Sequence, residues 1–477
     1  MLLRHASGYF ISTVVQLLSS VLLLALLTRF LSPDEYGRYA LGMTVLQVVG
    51  GPLFHWIRAI VGRFLVNADI SGRRNQLIAT ARNAMAGCAV GAAILIVILK
   101  AAGLTESASL PLLGSIATAM IFQAFFQIET DIHRAELRLE RCALLLIAQS
   151  IAGVALALFF VIVLHWGAAG ALYGITISCL ICLIADYRHS PFRNVGPVLA
   201  WADLKTMLTY ALPLTGIMGL EMVLQSGDRF IIAGLLSADA VGAYAAPQIL
   251  ASRAIQNLCI VVASSSLPLI IATYEREGAA AARKRYAQAG ELMMVAIIPT
   301  TVTLIALARP ITDLLIGPAL RDLARQILPL VALATVFNGL ASHYLAHGFQ
   351  IARRTMLEIW AILPAAVLGV VMDLILIPRY GVIAAGYALL SAQITYAVMS
   401  WVLVRPLFDV PLPFWISARI LVPALAAGAL IEILDLPSSV AGLTAGVAVM
   451  AVFTGAGVLA ANVAGIRQAL MQRWKNA

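Results

Sequence analysis

Charge is scarce in this chain. Only 12% of its 477 residues are Asp, Glu, Lys or Arg, against about 25% in an ordinary soluble domain. Apolar residues make up 61%, and in water they would leave an apolar surface that few polar side chains remain to cover. Long hydrophilic stretches are missing too. None between the apolar runs exceeds about 25 residues, which leaves no room for a soluble catalytic domain. Cysteine is limited to five residues. Cys179 and Cys182 have a C-x-x-C spacing, but their setting, ITISCLICLI, lacks the polar partners a thiolate or metal needs, so they read as small packing residues. His343 and His347 share a helix face at i, i+4 without an H-E-x-x-H frame or a third ligand. No metal, no cofactor and no nucleophile–base constellation is expected, so the chain is not read as an enzyme.

What is present is a series of apolar runs of about 20 residues, the length that crosses a bilayer as a helix. They lie at 8–31, 39–57, 83–100, 109–128, 142–164, 167–185, 208–236, 239–270, 288–308, 326–349, 355–377, 381–404, 415–434 and 440–462. This is an all-α integral membrane protein with about fourteen spans. The first run is too long for a signal-peptide core and reads as an uncleaved span. The net charge of +9 is not gathered into a stripe, which excludes nucleic acid as a partner.

The basic residues set the orientation. With the N-terminus in the cytoplasm, 23 of the 32 Lys and Arg residues fall on the inner side, from Arg4 through Arg58, Arg73 and Arg141 to Arg467, Arg473 and Lys475. Acidic residues divide almost evenly. A Lys/Arg bias without an Asp/Glu bias is the signature of positive-inside insertion. An even number of spans returns the C-terminus to the cytoplasm, in a bacterial inner membrane. The charged segment Glu129–Arg141 reads as a cytoplasmic extension of the fourth span with a solvated face.

Two segments repeat. Leu31–Ala40 (LSPDEYGRYA) and Leu236–Ala245 (LSADAVGAYA) agree at six of ten positions. Each has a candidate N-cap serine, Ser32 or Ser237, followed by acids suited to a helix N-terminus, and an aromatic, Tyr39 or Tyr244, placed as an interfacial anchor. Gly167–Tyr173 (GAAGALY) aligns more loosely with Gly381–Tyr387 (GVIAAGY). The spacing covers six spans, so the repeat is of the parallel type seen in transporters. The expected organisation is an N-terminal lobe at 1–206, a C-terminal lobe at 207–404, and an extra helix pair with a cytoplasmic tail at 405–477.

Three stretches carry a resemblance. LLTRFLSPDEYGRYAL, ALPLTGIMGLEMVLQSGDRFIIAGLLSADAVGAYA and IPRYGVIAAGYALL resemble the polysaccharide and O-antigen flippases of the multidrug/oligosaccharidyl-lipid/polysaccharide exporter superfamily. The resemblance implies movement of an undecaprenyl-diphosphate-linked glycan to the periplasmic leaflet by alternating access. Membrane lipid and polysaccharide polymerase or export machinery are the other partners it suggests. The related flippases of lipid-linked peptidoglycan precursors usually carry basic residues in the first-lobe helices. Here the first span has no charge between Gly8 and Thr28, which argues against that branch.

A diphosphate crossing a low-dielectric slab needs cations in a wet cavity. Arg253, near the middle of the eighth span, is the clearest intramembrane cation. His55 and Arg58 lie one turn apart at the inner end of the second span and are further candidates, with positive-inside anchoring as the plainer reading. Glu221, in the seventh span, is a candidate partner for Arg253 or an ion-coupling acid. Asp228 and Arg229 form a candidate pair at the outer end of that span. The competing functions are a cation-coupled drug antiporter of the same superfamily, a membrane-embedded polysaccharide polymerase or acyltransferase, and a scaffold for polysaccharide assembly. The antiporter predicts acids in the first two spans, which have none, and the polymerase a large outer loop, which is absent.

Overall fold

The computed structural model describes residues 2–101, 109–193, 195–196 and 201–461. Residues 103–108, expected as an outer loop, and the tail cations Arg467, Arg473 and Lys475 lie outside them. Every regular element among the described residues is helical, as lipid requires: with no water to hydrogen-bond the backbone, each spanning segment must satisfy its own N–H and C=O groups. Among the described residues, thirteen helical segments are long and apolar enough to cross a membrane. They fall on thirteen of the fourteen expected runs. The remaining run, the seventh, is filled by two helices that meet at Gly227.

Packing divides the chain into two compact units, Met1–Phe230 and Ile231–Ala477. The first holds α1 (Leu2–Phe30), α2 (Pro33–Val45), α3 (Gly51–Ile70), α4 (Arg74–Ala101), α5 (Leu110–Ala135), α6 (Leu139–Leu158), α7 (Gly167–Asp186) and α8 (Trp201–Ser226). A π turn at Leu46–Gly50 joins α2 to α3 into one span. In this unit α7 packs between α5 and α6, α1 lies on α6, and α8 lies on α3. The seventh span therefore associates with helices of the first unit. The short α9 (Asp228–Leu235) straddles the division.

The second unit holds α10 (Ala238–Glu277), α11 (Ala279–Ala306), α12 (Ala308–Leu315), α13 (Arg321–Leu340), α14 (Ala346–Ile351), α15 (Ile359–Tyr380), α16 (Ile383–Val404), α17 (Phe414–Ile433) and α18 (Val440–Ala461). Here α10 lies against α11 and α13, α16 against α13 and α15, and α17 packs on both α11 and α18.

The expected helix starts are present. Ser32 accepts from the Glu35 N–H and Ser237 from the Ala240 N–H, with Pro33 opening α2. The tyrosines depart from expectation. Tyr39 and Tyr244 are buried rather than exposed as interfacial anchors. The glycine pairs Gly87/Gly91, Gly170/Gly174 and Gly442/Gly446, spaced i, i+4 as close helix packing favours, also divide. A Cβ on Gly174 would run into the Ala157 backbone and one on Gly446 into Leu307, so those glycines permit close packing. Gly87 and Gly91 face open space and do not.

Candidate functional site

Arg253 is exposed on α10, and the Asn257 side chain one turn on donates to its carbonyl at 2.8 Å. Asn257 and Ser264 continue the same stripe at i+4 and i+11. This stripe lies within a segment whose hydropathy suits a membrane span. Its neighbour Gln256 points inward instead. Its amide donates to Asn338 Oδ1 at 2.9 Å, and Asn338 Nδ2 donates to Gln393 Oε1 at 3.2 Å. This chain of amides ties α10, α13 and α16 together and satisfies polar groups that would be costly if left bare in an apolar interior.

The other expected residues lie in the first unit. Arg58 on α3 is half-buried. Its Nε donates to Asp131 Oδ2 at 2.6 Å and its Nη1 to Gln127 Oε1 at 2.7 Å, both on α5. An arginine held this way has its charge balanced within its own unit. His55 is half-buried one turn earlier. On α8, Glu221 Oε1 accepts from Gln225 Nε2 at 3.2 Å. Gly219 of α8 sits against Pro52 of α3, so Glu221 and His55 each lie within one turn of that helix crossing. Asp228 and Arg229 are both buried. Asp228 Oδ1 caps the Arg229 backbone N–H at 2.8 Å, and the Arg229 guanidinium reaches Thr44 Oγ1 of α2 at 3.0 Å.

The segment Glu129–Arg141 is not a solvated face. The fourth span does extend, and α5 runs to Ala135. A tight turn with Leu137 at φ +59° then folds α6 back. Glu129, His133 and Asp186 are almost fully buried, at 2%, 0% and 1% exposure. His133 Nε2 lies 2.7 Å from Asp186 Oδ2, and Arg141 of α6 is paired with the other oxygen of Asp186. Arg141 also contacts His189 Nδ1 at 2.7 Å. The burial has a simple cause: α7 delivers Asp186 to the one place where α5 and α6 both carry charge, and the pairing replaces water. Glu129 Oε1 and His133 Nδ1 make no hydrogen bond. The ligand atoms of Glu129, His133 and Asp186 lie within 4.8 Å of one another, a spacing that can hold a metal ion. Arg141 and His133 already occupy both Asp186 oxygens, so the cluster works as it stands as an ion-pair junction of three helices. Sequence reasoning missed it because Asp186 ends an apolar run and looks like an ordinary span terminus. The available signal was Glu129 and His133 at i, i+4 on a continuous helix. Cys179 and Cys182, on the same α7, are buried and unbridged.

The family described as polysaccharide biosynthesis protein matches residues 26–325. Among solved structures, a lipid II flippase MurJ in an inward closed conformation aligns with a TM-score of 0.73 at 13% identity, covering 96% of this chain and 99% of its own. An inward-facing MATE multidrug resistance transporter of the MOP superfamily aligns with a TM-score of 0.61 at 14% identity, covering 85% and 95%. A MOP superfamily transporter from Pyrococcus furiosus, described as having a binding pocket of reversed polarity, gives 0.56 at 15% identity, covering 85% and 94%. At these identities the likeness is one of fold. No curated protein matches the chain.

Proposed function

The chain belongs to the polysaccharide biosynthesis protein family, and from that premise we propose that it flips a polyprenyl-diphosphate-linked oligosaccharide from the cytoplasmic to the periplasmic leaflet by alternating access. The lobes at 1–206 and 207–404 would rock as repeats, with the pair after 405 outside them.

One observation carries the reading. Arg253 is exposed in an apolar span and heads a polar stripe with Asn257 and Ser264. A charge at mid-membrane costs about 2.5–3.5 kcal/mol on the mildest scale. A stripe of polar neighbours is unfavourable against acyl chains and favourable against a hydrated passage. An arginine there offers a diphosphate two parallel donors. Arg58 is a weaker candidate for cargo, since Asp131 and Gln127 already engage it. His55 and Glu221, near the α3–α8 crossing, are proposed to act with it at the inner mouth or in ion coupling.

The test is leaflet-resolved detection of polyprenyl-linked glycan after depletion of the protein. Glycan should accumulate in the inner leaflet alone. We expect Arg253→Ala to insert normally and to lower export by about ten- to a hundredfold, the loss of one charge-assisted contact. Export at the wild-type rate would remove Arg253 from the site.

A further inference from the structure

The two sequence motifs of the repeat meet in space in the first unit. Glu35, from LSPDEYGRYA, accepts a hydrogen bond from the Ala168 N–H of GAAGALY at 2.6 Å. Gly167 stands at φ +55°, and a Cβ there would overlap the Glu35 carboxylate. Glycine is thus required at that position by conformation and by space. With the start of α5 at Ser109, these segments wall a cavity of about 650 Å³, within the usual size of small-molecule sites. The cavity lies at the α1–α2 and α6–α7 turns and the start of α5, the end of the unit away from the α5–α6 turn. Under the charge-based topology that end is periplasmic.

Its lining combines aromatic rings with a balanced set of charges: Trp166, Tyr173, His165, Glu35 and Arg38. Trp166 stacks on Phe160, with centroids 5.0 Å apart and planes 6° apart, and Tyr173 meets it edge-on at 6.0 Å. The indole is therefore held in one orientation, yet it is 50% exposed. Arg38 is held by Asp34 at 2.8 Å.

The repeat supplies an internal control. The second copy keeps the cap serine, Ser237, the acid Asp239, and a positive-φ glycine, Gly381 at +70°. At the positions of Glu35 and Arg38 it has Ala240 and Ala243. Starting this helix therefore requires neither charge. Capping Ala168 uses one oxygen of Glu35 and accounts for neither Arg38 nor Trp166. An interfacial tryptophan serving only as a membrane anchor would not need a cavity walled by a carboxylate and a guanidinium.

We propose that this cavity is a saccharide subsite, in which a pyranose lies against Trp166 while Glu35 and Arg38 hold its hydroxyls. A pyranose has one face of C–H groups that suits an aromatic ring and a rim of hydroxyls that suits paired donors and acceptors. The near-neutral lining favours an uncharged polyol over a diphosphate or a cation. The subsite deepens the flippase reading and rests on it for its biological role: it assigns the sugar end of the cargo to a pocket of the first unit.

The experiment is isothermal titration of the full chain in nanodiscs with glucose, galactose, N-acetylglucosamine and their disaccharides at up to tens of millimolar. At least one should bind in the millimolar range. Trp166→Ala should weaken that binding about tenfold, the loss of one stacking contact. Glu35→Gln keeps an oxygen for the Ala168 cap and should also weaken it, which separates recognition from folding. The absence of any binding, or binding unchanged in both variants, would overturn the subsite. Trp166-dependent binding by a protein whose depletion traps no glycan in the inner leaflet would uphold the subsite and sink the flippase reading instead.

Discussion

Asp186 shows how much one residue can hold. Its carboxylate receives His133 from α5 and Arg141 from α6 while it sits at the end of α7. Removing one partner from a buried ionic junction strands the others, at a cost of about 3–5 kcal/mol. We expect Asp186→Ala to lose that much stability, read as a fall in melting temperature in detergent. A change of less than about 1 kcal/mol, the range of exposed pairs, would show that water reaches the junction. Gly167 makes a second residue-scale test. Gly167→Ala should destabilise by about 1–3 kcal/mol through its left-handed backbone and its clash with Glu35. Combining it with Glu35→Ala should recover the clash but not the backbone strain. Neither role is apparent along the chain: a charged helical segment has the same composition whether water or another helix covers it. Arg253 stood out along the chain because a cation in an apolar run is conspicuous without any knowledge of its neighbours, and its role in export is a proposal.

At the scale of helices, the apolar runs located the helices, although several helices extend past the apolar run, as α3 does to Ile70 and α11 back to Ala279. Those from 415–434 and 440–462 became α17 and α18 with ends moved by a residue. The misreadings concern faces. Tyr39 and Tyr244 sit at helix starts, where interfacial aromatics belong, yet both turn inward. Gly87/Gly91 and Gly170/Gly174 share the same small-residue spacing, and only the second pair lies in a helix crossing. Gly174→Leu should therefore force α6 and α7 apart, costing about 1–3 kcal/mol or more as overpacking. Gly87→Ala should be neutral or stabilise by about 0.5–1 kcal/mol, since it removes backbone freedom and meets nothing. Thermal unfolding of the two variants side by side checks the contrast.

For the whole molecule, orientation can be tested directly. The native cysteines are buried except for the half-buried Cys88, so background labelling by a thiol reagent should be low. Asp435→Cys, in the exposed turn between α17 and α18, should react with a membrane-impermeant maleimide on intact inner-membrane spheroplasts. Glu277→Cys, exposed between α10 and α11, should react only after the membrane is opened. The opposite result would invert the topology and place the saccharide subsite in the cytoplasm. By itself the sequence determined the helical class, the positions of thirteen of the fourteen expected spans, and the side on which basic loops are expected. Those properties depend on each segment's own exchange with lipid and water. Only the tertiary structure decided which polar side chains meet, at Asp186, at Asn338 and around Trp166. Acyl chains are as apolar as the interior of a helix bundle, so the sequence carries little periodic trace of which face of a span touches a neighbour.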